Sequence, residues 1–283
     1  MEHALILSRK EFLFFSNIIL ENCGLIIPVA HKKNLENHLN TRLADLNMKS
    51  IEEYSNYLLS PVGKSGEFNL MVEMVGKDKT GFFRNKSMFR DLVRDVLPET
   101  FHEKKRTGQR RLSALWIGAD TGEEPYTLGM VLSELNERAK NISFDFFILA
   151  TDTSIKSLDH AKMAIYSGED IIPIPAGFKQ RYLLIGKDRR KNLYRIVPEL
   201  RRKIKFRTMN PFENTNLREA MDLIFLSSSI DYFDKTAREC LFLDLINCLN
   251  PWGAIYLKRP ENIHGLNLPL ERTSANYYRV IPS

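Results

Sequence analysis

Apolar positions along this chain change their period near residue 110: before it they recur at helical spacing, and after it short apolar runs alternate with helical segments. In the first part, Phe12, Phe15, Ile19 and Leu20 follow Ser8-Arg-Lys-Glu11, which has capping-box spacing, and Gly24 ends the predicted helix. A second amphipathic segment turns Leu35, Leu39, Leu43 and Leu46 inward and sets Lys32, Lys33, His38 and Arg42 largely on other faces. Ser50-Ile-Glu-Glu53 repeats the capping pattern, and Tyr54, Tyr57 and Leu58 carry a third helix to Pro61. Val62-Gly-Lys-Ser-Gly66 reads as a loop before a helix from about Phe68 to Met74, and a further amphipathic helix runs from Met88 to Leu97. These patterns predict an all-helical domain over residues 1–75 and a linker over 76–111, whose basic run Lys104 to Arg111 is a solvated connection.

From residue 112 the spacing predicts strands at 112–118, 143–151, 204–207, 221–227 and 254–258, with helices at 124–139, 154–164 and 235–249. Such alternation predicts an α/β domain over 112–283, doubly wound around a mostly parallel sheet. Residues 168–203 break the rhythm with Pro173, Pro175 and the basic stretch Lys187-Asp-Arg-Arg-Lys191, and read as an inserted β-subdomain. Asn276 to Ile281 is predicted as a last strand, antiparallel at the end of the sheet.

Chemistry concentrates where the first strand meets its helix, at Thr121-Gly-Glu-Glu-Pro-Tyr126. A small-residue turn after a buried strand lets a ligand approach the backbone, and the helix N-terminus beyond it offers free N–H groups. Two adjacent carboxylates are poor neighbours for phosphates. They suit a nucleoside cofactor that carries positive charge or presents ribose hydroxyls, and S-adenosylmethionine does both.

Composition adds bounds. The 283 residues, 43% hydrophobic, suffice for one large core or two smaller ones. No apolar run approaches the roughly 18 residues of a membrane span, and the start lacks a basic-then-apolar secretion layout, so a cytoplasmic protein is expected. Cys23, Cys240 and Cys248 form no C-x-x-C pair, which points away from a disulfide framework and from a metal site. A net charge of +6 favours acidic partners.

Several ordered motifs resemble the chemotaxis receptor methyltransferase family (CheR type), over nearly the whole length. They are Cys23-Gly-Leu-Ile26, Arg42-Leu43 and Glu53-Tyr54 in the helical part, Thr80-Gly-Phe-Phe-Arg84, Gly122-Glu-Glu-Pro-Tyr126, Ala150-Thr-Asp152 and Asp231-Tyr-Phe-Asp234. The resemblance implies a class I, Rossmann-like methyltransferase domain that uses S-adenosylmethionine to O-methylate glutamate side chains of chemoreceptors. It also implies cofactor contacts at Asp78, Thr80, Arg84, Gly118, Glu124, Asp152, Asn210, Pro211 and Ser228, with Asp152 on the ribose. Arg84 and Tyr232 are the expected catalytic pair. The expected partners are acidic cytoplasmic receptor helices, met by a monomer whose Lys32, Lys33, Arg42 and Lys187 to Lys191 cluster steer them electrostatically.

The chain also departs from the family pattern. Ser227-Ser228 replaces an Arg-Asn pair, Asp78 an asparagine, Asp120 a serine, Pro211 a leucine, and Lys258-Arg-Pro-Glu261 a turn with His-Ser-Glu. These changes leave open a second reading, a relative that binds S-adenosylmethionine or its demethylated product, S-adenosylhomocysteine, as a sensor or scaffold. A nucleic-acid methyltransferase is disfavoured, because Asn210-Pro-Phe only partly echoes an Asn-Pro-Pro-Tyr motif.

Overall fold

The computed structural model describes residues 5–23, 27, 29, 32–63, 66–67, 70, 80–138, 144–186, 192–211, 220–227, 230, 233–258, 263–274 and 276–281. The chain divides into two compact units, one made of Met1–Asp78 with Ser229–Arg238 and the other of Lys79–Ser228 with Glu239–Ser283.

In the first unit, helices Arg9–Cys23, Lys32–Asp45 and Ile51–Leu59 surround a core that includes Phe15, Ile19, Leu35, Leu39, Tyr54 and Leu58. The predicted capping box is present: the Ser8 N–H donates to Glu11 Oε2 at 2.7 Å and the Glu11 N–H to Ser8 Oγ at 3.2 Å. Ser50 caps the third helix by accepting from the Glu53 N–H at 3.1 Å, while Glu53 reaches one residue further back, to the Lys49 N–H at 2.9 Å. Val62 and Gly63, expected as the start of a loop, are helical. Phe233 packs against this same core.

Arg42 is a correction to the expected steering surface. Its guanidinium donates to both carboxylate oxygens of the buried Glu67, at 2.6 and 3.1 Å, and to Asp45 at 2.7 Å; the Tyr54 hydroxyl also donates to Glu67. A fork held this way ties helix Lys32–Asp45 to the helical turn at Glu67 and has little charge left to attract a partner. Lys32 and Lys33 lie 3.7 and 3.4 Å from Glu36, and the Lys187 to Lys191 run lies outside the described residues.

The second unit is built on strands β1 (Arg111–Ile117), β2 (Asp145–Asp152), β3 (Ile165–Ser167), β4 (Leu183–Ile185) and β5 (Leu193–Ile196). Strands β6 (Ile204–Thr208), β7 (Met221–Leu226), β8 (Leu249–Leu257), β9 (Leu270–Ser274) and β10 (Tyr277–Val280) follow. Seven of them form one sheet in the order β6-β2-β1-β7-β8-β10-β9. The first five in that order are parallel and β10 runs antiparallel to β8, as the sequence pattern predicts for the C-terminal strand. β1 and β7 are buried at nearly every position, which suits strands covered on both faces. Strand order reverses between β1 and β7, so the C-terminal edge there is the switch point at which open α/β sheets bind ligands.

The inserted segment contributes the antiparallel sheet β3-β5-β4, whose first strand begins at Ile165, ahead of the expected 168. It is pinned to helix Glu123–Arg138 by Arg181, which pairs with Glu134 at 2.9 Å and with Glu137, and by the Tyr182 hydroxyl on Glu134.

The expected solvated connection at 104–111 is overturned at its first residue. Lys104, in helix Leu97–Arg106, is 4% exposed and sits 2.9 Å from Asp222 Oδ2, which is itself 0% exposed. Asp222 also accepts from the Ser113 N–H on β1 and from Asn250 Nδ2 and Trp252 Nε1 at the start of β8, each at 2.8 to 2.9 Å. Helix and three strands are thereby bolted together at the N-terminal edge of the sheet. A buried lysine with a carboxylate partner behaves as structure, whatever basic run it belongs to.

Candidate functional site

At the opposite edge, β1 ends in a loop that only glycine fits comfortably. Gly118 has φ +82° and Gly122 φ +94°, and a Cβ on Gly122 would lie 2.8 Å from Ala161 Cβ and 3.1 Å from the Tyr166 hydroxyl. The loop is tied to β2, because the N–H groups of Gly118 and Ala119 both donate to the Thr151 carbonyl at 2.9 Å. The Asp120 N–H donates to Asp152 Oδ2, and the Ser154 N–H to Asp152 Oδ1, each at 2.9 Å. Asp152 therefore sets the loop against the end of its strand, and Ser154 caps the next helix. Each oxygen that accepts one N–H retains a second lone pair for a ligand hydroxyl. Burial raises the Asp152 carboxyl above its usual range, more than its backbone donors lower it. Just after β6, the Met209 N–H donates to the Asp152 carbonyl at 3.0 Å, and half-buried Asn210 and Pro211 follow it.

Helix Glu123–Arg138 starts with two buried glutamates. Glu123 accepts from Thr121 Oγ1 through both oxygens, at 2.9 and 2.7 Å, and burial pushes its carboxyl up to about 7, with the nearby Asp120 and Asp170 adding to the rise. Glu124 points elsewhere. It accepts from the Ser227 hydroxyl at 2.9 Å, and burial raises its carboxyl while Lys258 and Arg84 favour its ionised form.

Glu124 borders a pocket of about 180 Å³ lined by Arg84, Asn85, Met88, Trp116, Glu124, Ser227, Tyr256 and Lys258. Trp116, Phe225, Tyr256 and Tyr277 occupy one register row across β1, β7, β8 and β10, so their rings share one face of the sheet. Trp116 stacks on Phe225 at 4.6 Å between centroids, and Tyr256 meets Tyr277 at 5.1 Å. The segment after Thr80-Gly-Phe-Phe-Arg84 sits against this row. Asn85 Nδ2 donates to the Tyr256 hydroxyl at 2.6 Å, and the Tyr277 hydroxyl donates to the Met88 carbonyl at 3.1 Å. Phe83, held at φ +50°, donates its N–H to Thr127 Oγ1 at 3.2 Å, which fixes the segment to the helix that carries Glu124. Phe82 and Phe83 are packing residues, in edge contact with Tyr166 and Phe178.

Two buried polar atoms here have no partner among the described residues: Thr80 Oγ1 and Trp116 Nε1. An unsatisfied buried donor or acceptor costs about 1–3 kcal/mol and is a common mark of a ligand position. Together with positive-φ glycines beside a helix start, and both signs of charge in one pocket, they fit a nucleoside carrying an α-amino-acid end.

Among the expected site residues, Arg84 and Glu124 meet in the pocket, Gly118 and Asp152 lie together at the loop edge, and Asn210 follows Met209, which bonds to the Asp152 carbonyl. Thr80 is half-buried ahead of Arg84, whereas Asp78, Ser228 and Tyr232 lie outside the described residues. Sequence reasoning missed Asn85, Met88, Trp116, Ser227, Tyr256 and Lys258 as pocket residues. Ser227 and Lys258 were visible as departures from the motif pattern, but nothing in the order of residues says that they face one carboxylate.

Comparison with known proteins gives relatives of similar length. The chain is 28% identical to a chemotaxis protein methyltransferase of Borreliella burgdorferi, over 92% of this chain and 90% of that one. It is 27% identical to one of Escherichia coli, over 94% and 89%, and 28% identical to chemotaxis protein methyltransferase 2 of Pseudomonas aeruginosa, over 92% and 90%. Residues 78–279, which include the loop, the pocket and the whole seven-stranded sheet up to Arg279, match the model described as CheR methyltransferase, SAM binding domain. The chain belongs to that methyltransferase family, and its cofactor is S-adenosylmethionine.

Proposed function

We propose that this protein transfers the methyl group of S-adenosylmethionine to glutamate side chains on the cytoplasmic helices of chemoreceptors, forming carboxyl methyl esters. The observation that carries the reading is the pocket at the switch point, where buried Glu124 faces Arg84 and Lys258 beside an aromatic floor. The cofactor, when bound, supplies a methyl group activated on a sulfonium.

Little proton chemistry is asked of the protein. A solvent-exposed glutamate has a pKa of about 4.3, so the acceptor arrives as a nucleophilic carboxylate and no general base is needed. What the residues contribute is alignment. Glu124 is placed to receive an ammonium, since it is a buried carboxylate with one hydroxyl donor, Ser227, on Oε2. Asp152 receives ribose hydroxyls, on the lone pairs its two backbone donors leave. Thr80 Oγ1 gains a partner on the same ligand. Arg84, exposed at the rim of the pocket, orients the incoming carboxylate through its planar fork of donors, and Tyr232 assists at the acceptor. The departures partly offset one another, because Ser227 satisfies Glu124 without charge while Lys258 brings a cation to the same carboxylate.

The test is transfer of labelled methyl to a receptor cytoplasmic fragment. Label that is released by base and absent from a fragment with its methylation-site glutamates changed to alanine is expected. Binding of S-adenosylhomocysteine with no transfer to any receptor fragment would replace this reading by the sensor one.

A further inference from the structure

Among the described residues, those that line the pocket include none from the inserted sheet, yet one residue of that sheet touches three of the segments around it. Helix Ile155–Met163 ends at Ala164, which takes the left-handed φ of +54°, and the chain turns directly into β3. Tyr166 is the middle residue of this short strand, held opposite Tyr194 of β5. It is 1% exposed, and its hydroxyl donates to the Thr121 carbonyl at 2.7 Å, in the loop after β1. A Cβ on Gly122 would come within 3.1 Å of that hydroxyl, so the loop lies directly on it. The ring meets Phe82 edge-on at 4.8 Å, two residues from both Thr80 and Arg84, and Tyr126 of helix Glu123–Arg138 at 6.3 Å. Burial, with Glu123 and Tyr126 beside it, pushes the Tyr166 hydroxyl well above its usual range, so it stays protonated and donates.

Packing accounts for the ring of a buried tyrosine; it does not account for where the hydroxyl points. Here the hydroxyl bonds neither its own sheet nor the helix before it. It bonds the loop, which Thr151 and Asp152 hold from the β2 side. The contacts continue from there: Thr121 Oγ1 donates to Glu123, Thr127 Oγ1 donates to the Glu123 carbonyl at 2.7 Å, and the Phe83 N–H donates to Thr127 Oγ1. We infer that Tyr166 is a positioning residue for methyl transfer, fixing the loop after β1 and the segment 80–84 in the one arrangement in which Glu124, Thr80 and Arg84 serve the same cofactor. This inference deepens the methyltransferase reading and rests on it. The inserted sheet is then part of the frame of the cofactor site.

Calorimetric titration of the full chain with S-adenosylhomocysteine, beside methyl transfer to a receptor cytoplasmic fragment, tests the role. Tyr166→Phe keeps the ring and removes the hydroxyl. It is expected to weaken S-adenosylhomocysteine binding about five- to tenfold, the scale of one buried hydrogen bond, and to raise the KM for S-adenosylmethionine alike at constant KM for the fragment. Tyr166→Leu, which also removes the contact with Phe82, is expected to lose more. Amide hydrogen exchange separates the two contacts: the Gly122 N–H should exchange faster in both variants, and the Phe83 N–H only in Tyr166→Leu. Tyr182→Phe is the control, because it deletes another hydroxyl of the inserted segment, the one on Glu134 further along the same helix. It should lower the unfolding midpoint and leave the affinity unchanged. Equal loss of affinity in Tyr166→Phe and Tyr182→Phe marks a general loosening and overturns the inference, as does a folded Tyr166→Phe with unchanged affinity and unchanged KM values. If the parent protein binds no S-adenosylhomocysteine, the methyltransferase reading itself fails, an outcome distinct from the other two.

Discussion

At the N-terminal edge of the parallel strands, Asp222 is surrounded by donors from a helix and two neighbouring strands: Lys104, the Ser113 N–H, Asn250 and Trp252. At the C-terminal edge, about one strand length away on β1 and the helix that follows it, Glu124 is also buried but accepts from the Ser227 hydroxyl and borders an open pocket. Two carboxylates of similar burial thus have different purposes. Where every lone pair is met within the protein, charge acts as a bolt. Where burial raises the carboxyl and cations stand by around a cavity, the unmet capacity belongs to a ligand.

The comparison predicts opposite costs on removal. Asp222→Ala leaves Lys104 buried and uncompensated, so urea titration should show a loss of about 3–5 kcal/mol. A loss below about 1 kcal/mol would reduce the bolt to an ordinary surface pair. Next in size is Gly122→Ala, which forces a Cβ into a positive-φ position 2.8 Å from Ala161 Cβ. It should cost about 2–3 kcal/mol, combining backbone strain with overpacking, and weaken cofactor binding at the same time.

Glu123 sharpens the contrast through pH. Its folded carboxyl is raised to about 7 from 4.5, so the folded protein keeps a proton that the unfolded chain has lost between those values. Stability therefore falls as pH rises from about 4.5 to about 7 and stays at the lower level above it. Glu123→Gln has no proton to lose. Its midpoint of thermal unfolding, relative to the parent, should climb across that window, to a gain of about 1–2 kcal/mol at pH 8. A parent and variant with parallel pH profiles would show that Glu123 is ionised without penalty in the fold. The smallest expected effect on folding is that of Glu124→Gln. Its stability should match the parent or exceed it slightly, because a buried charge with incomplete pairing is removed, while affinity for S-adenosylhomocysteine falls about tenfold. Loss of stability comparable to Asp222→Ala would erase the distinction between the two edges.

The elements of both units were largely legible. Capping-box spacing located the starts of two helices, and apolar runs gave β1, β2, β6, β7 and part of β8 to within a few residues. Strand β9 was not legible, since Leu270-Glu-Arg-Thr-Ser274 is polar and lies at the sheet edge, where one side needs no apolar cover. The pocket was half legible. Glu124 and Arg84 stand in local motifs. Trp116 and Tyr256 look like any buried strand residues until parallel pairing puts them in one row.

Sequence by itself determined the period of each element, the capping boxes, the glycines that the loop after β1 requires and the motifs that identify the family, because these depend on residues close together in the chain. Tertiary structure decided what each charge is for. Lys104 and Lys258 are both lysines beside further basic residues, yet one pairs with Asp222 from more than a hundred residues away and the other borders the pocket that Glu124 lines. The meaning of a charge is set by the dielectric and the partners around it, and only the folded sheet brings those partners within reach.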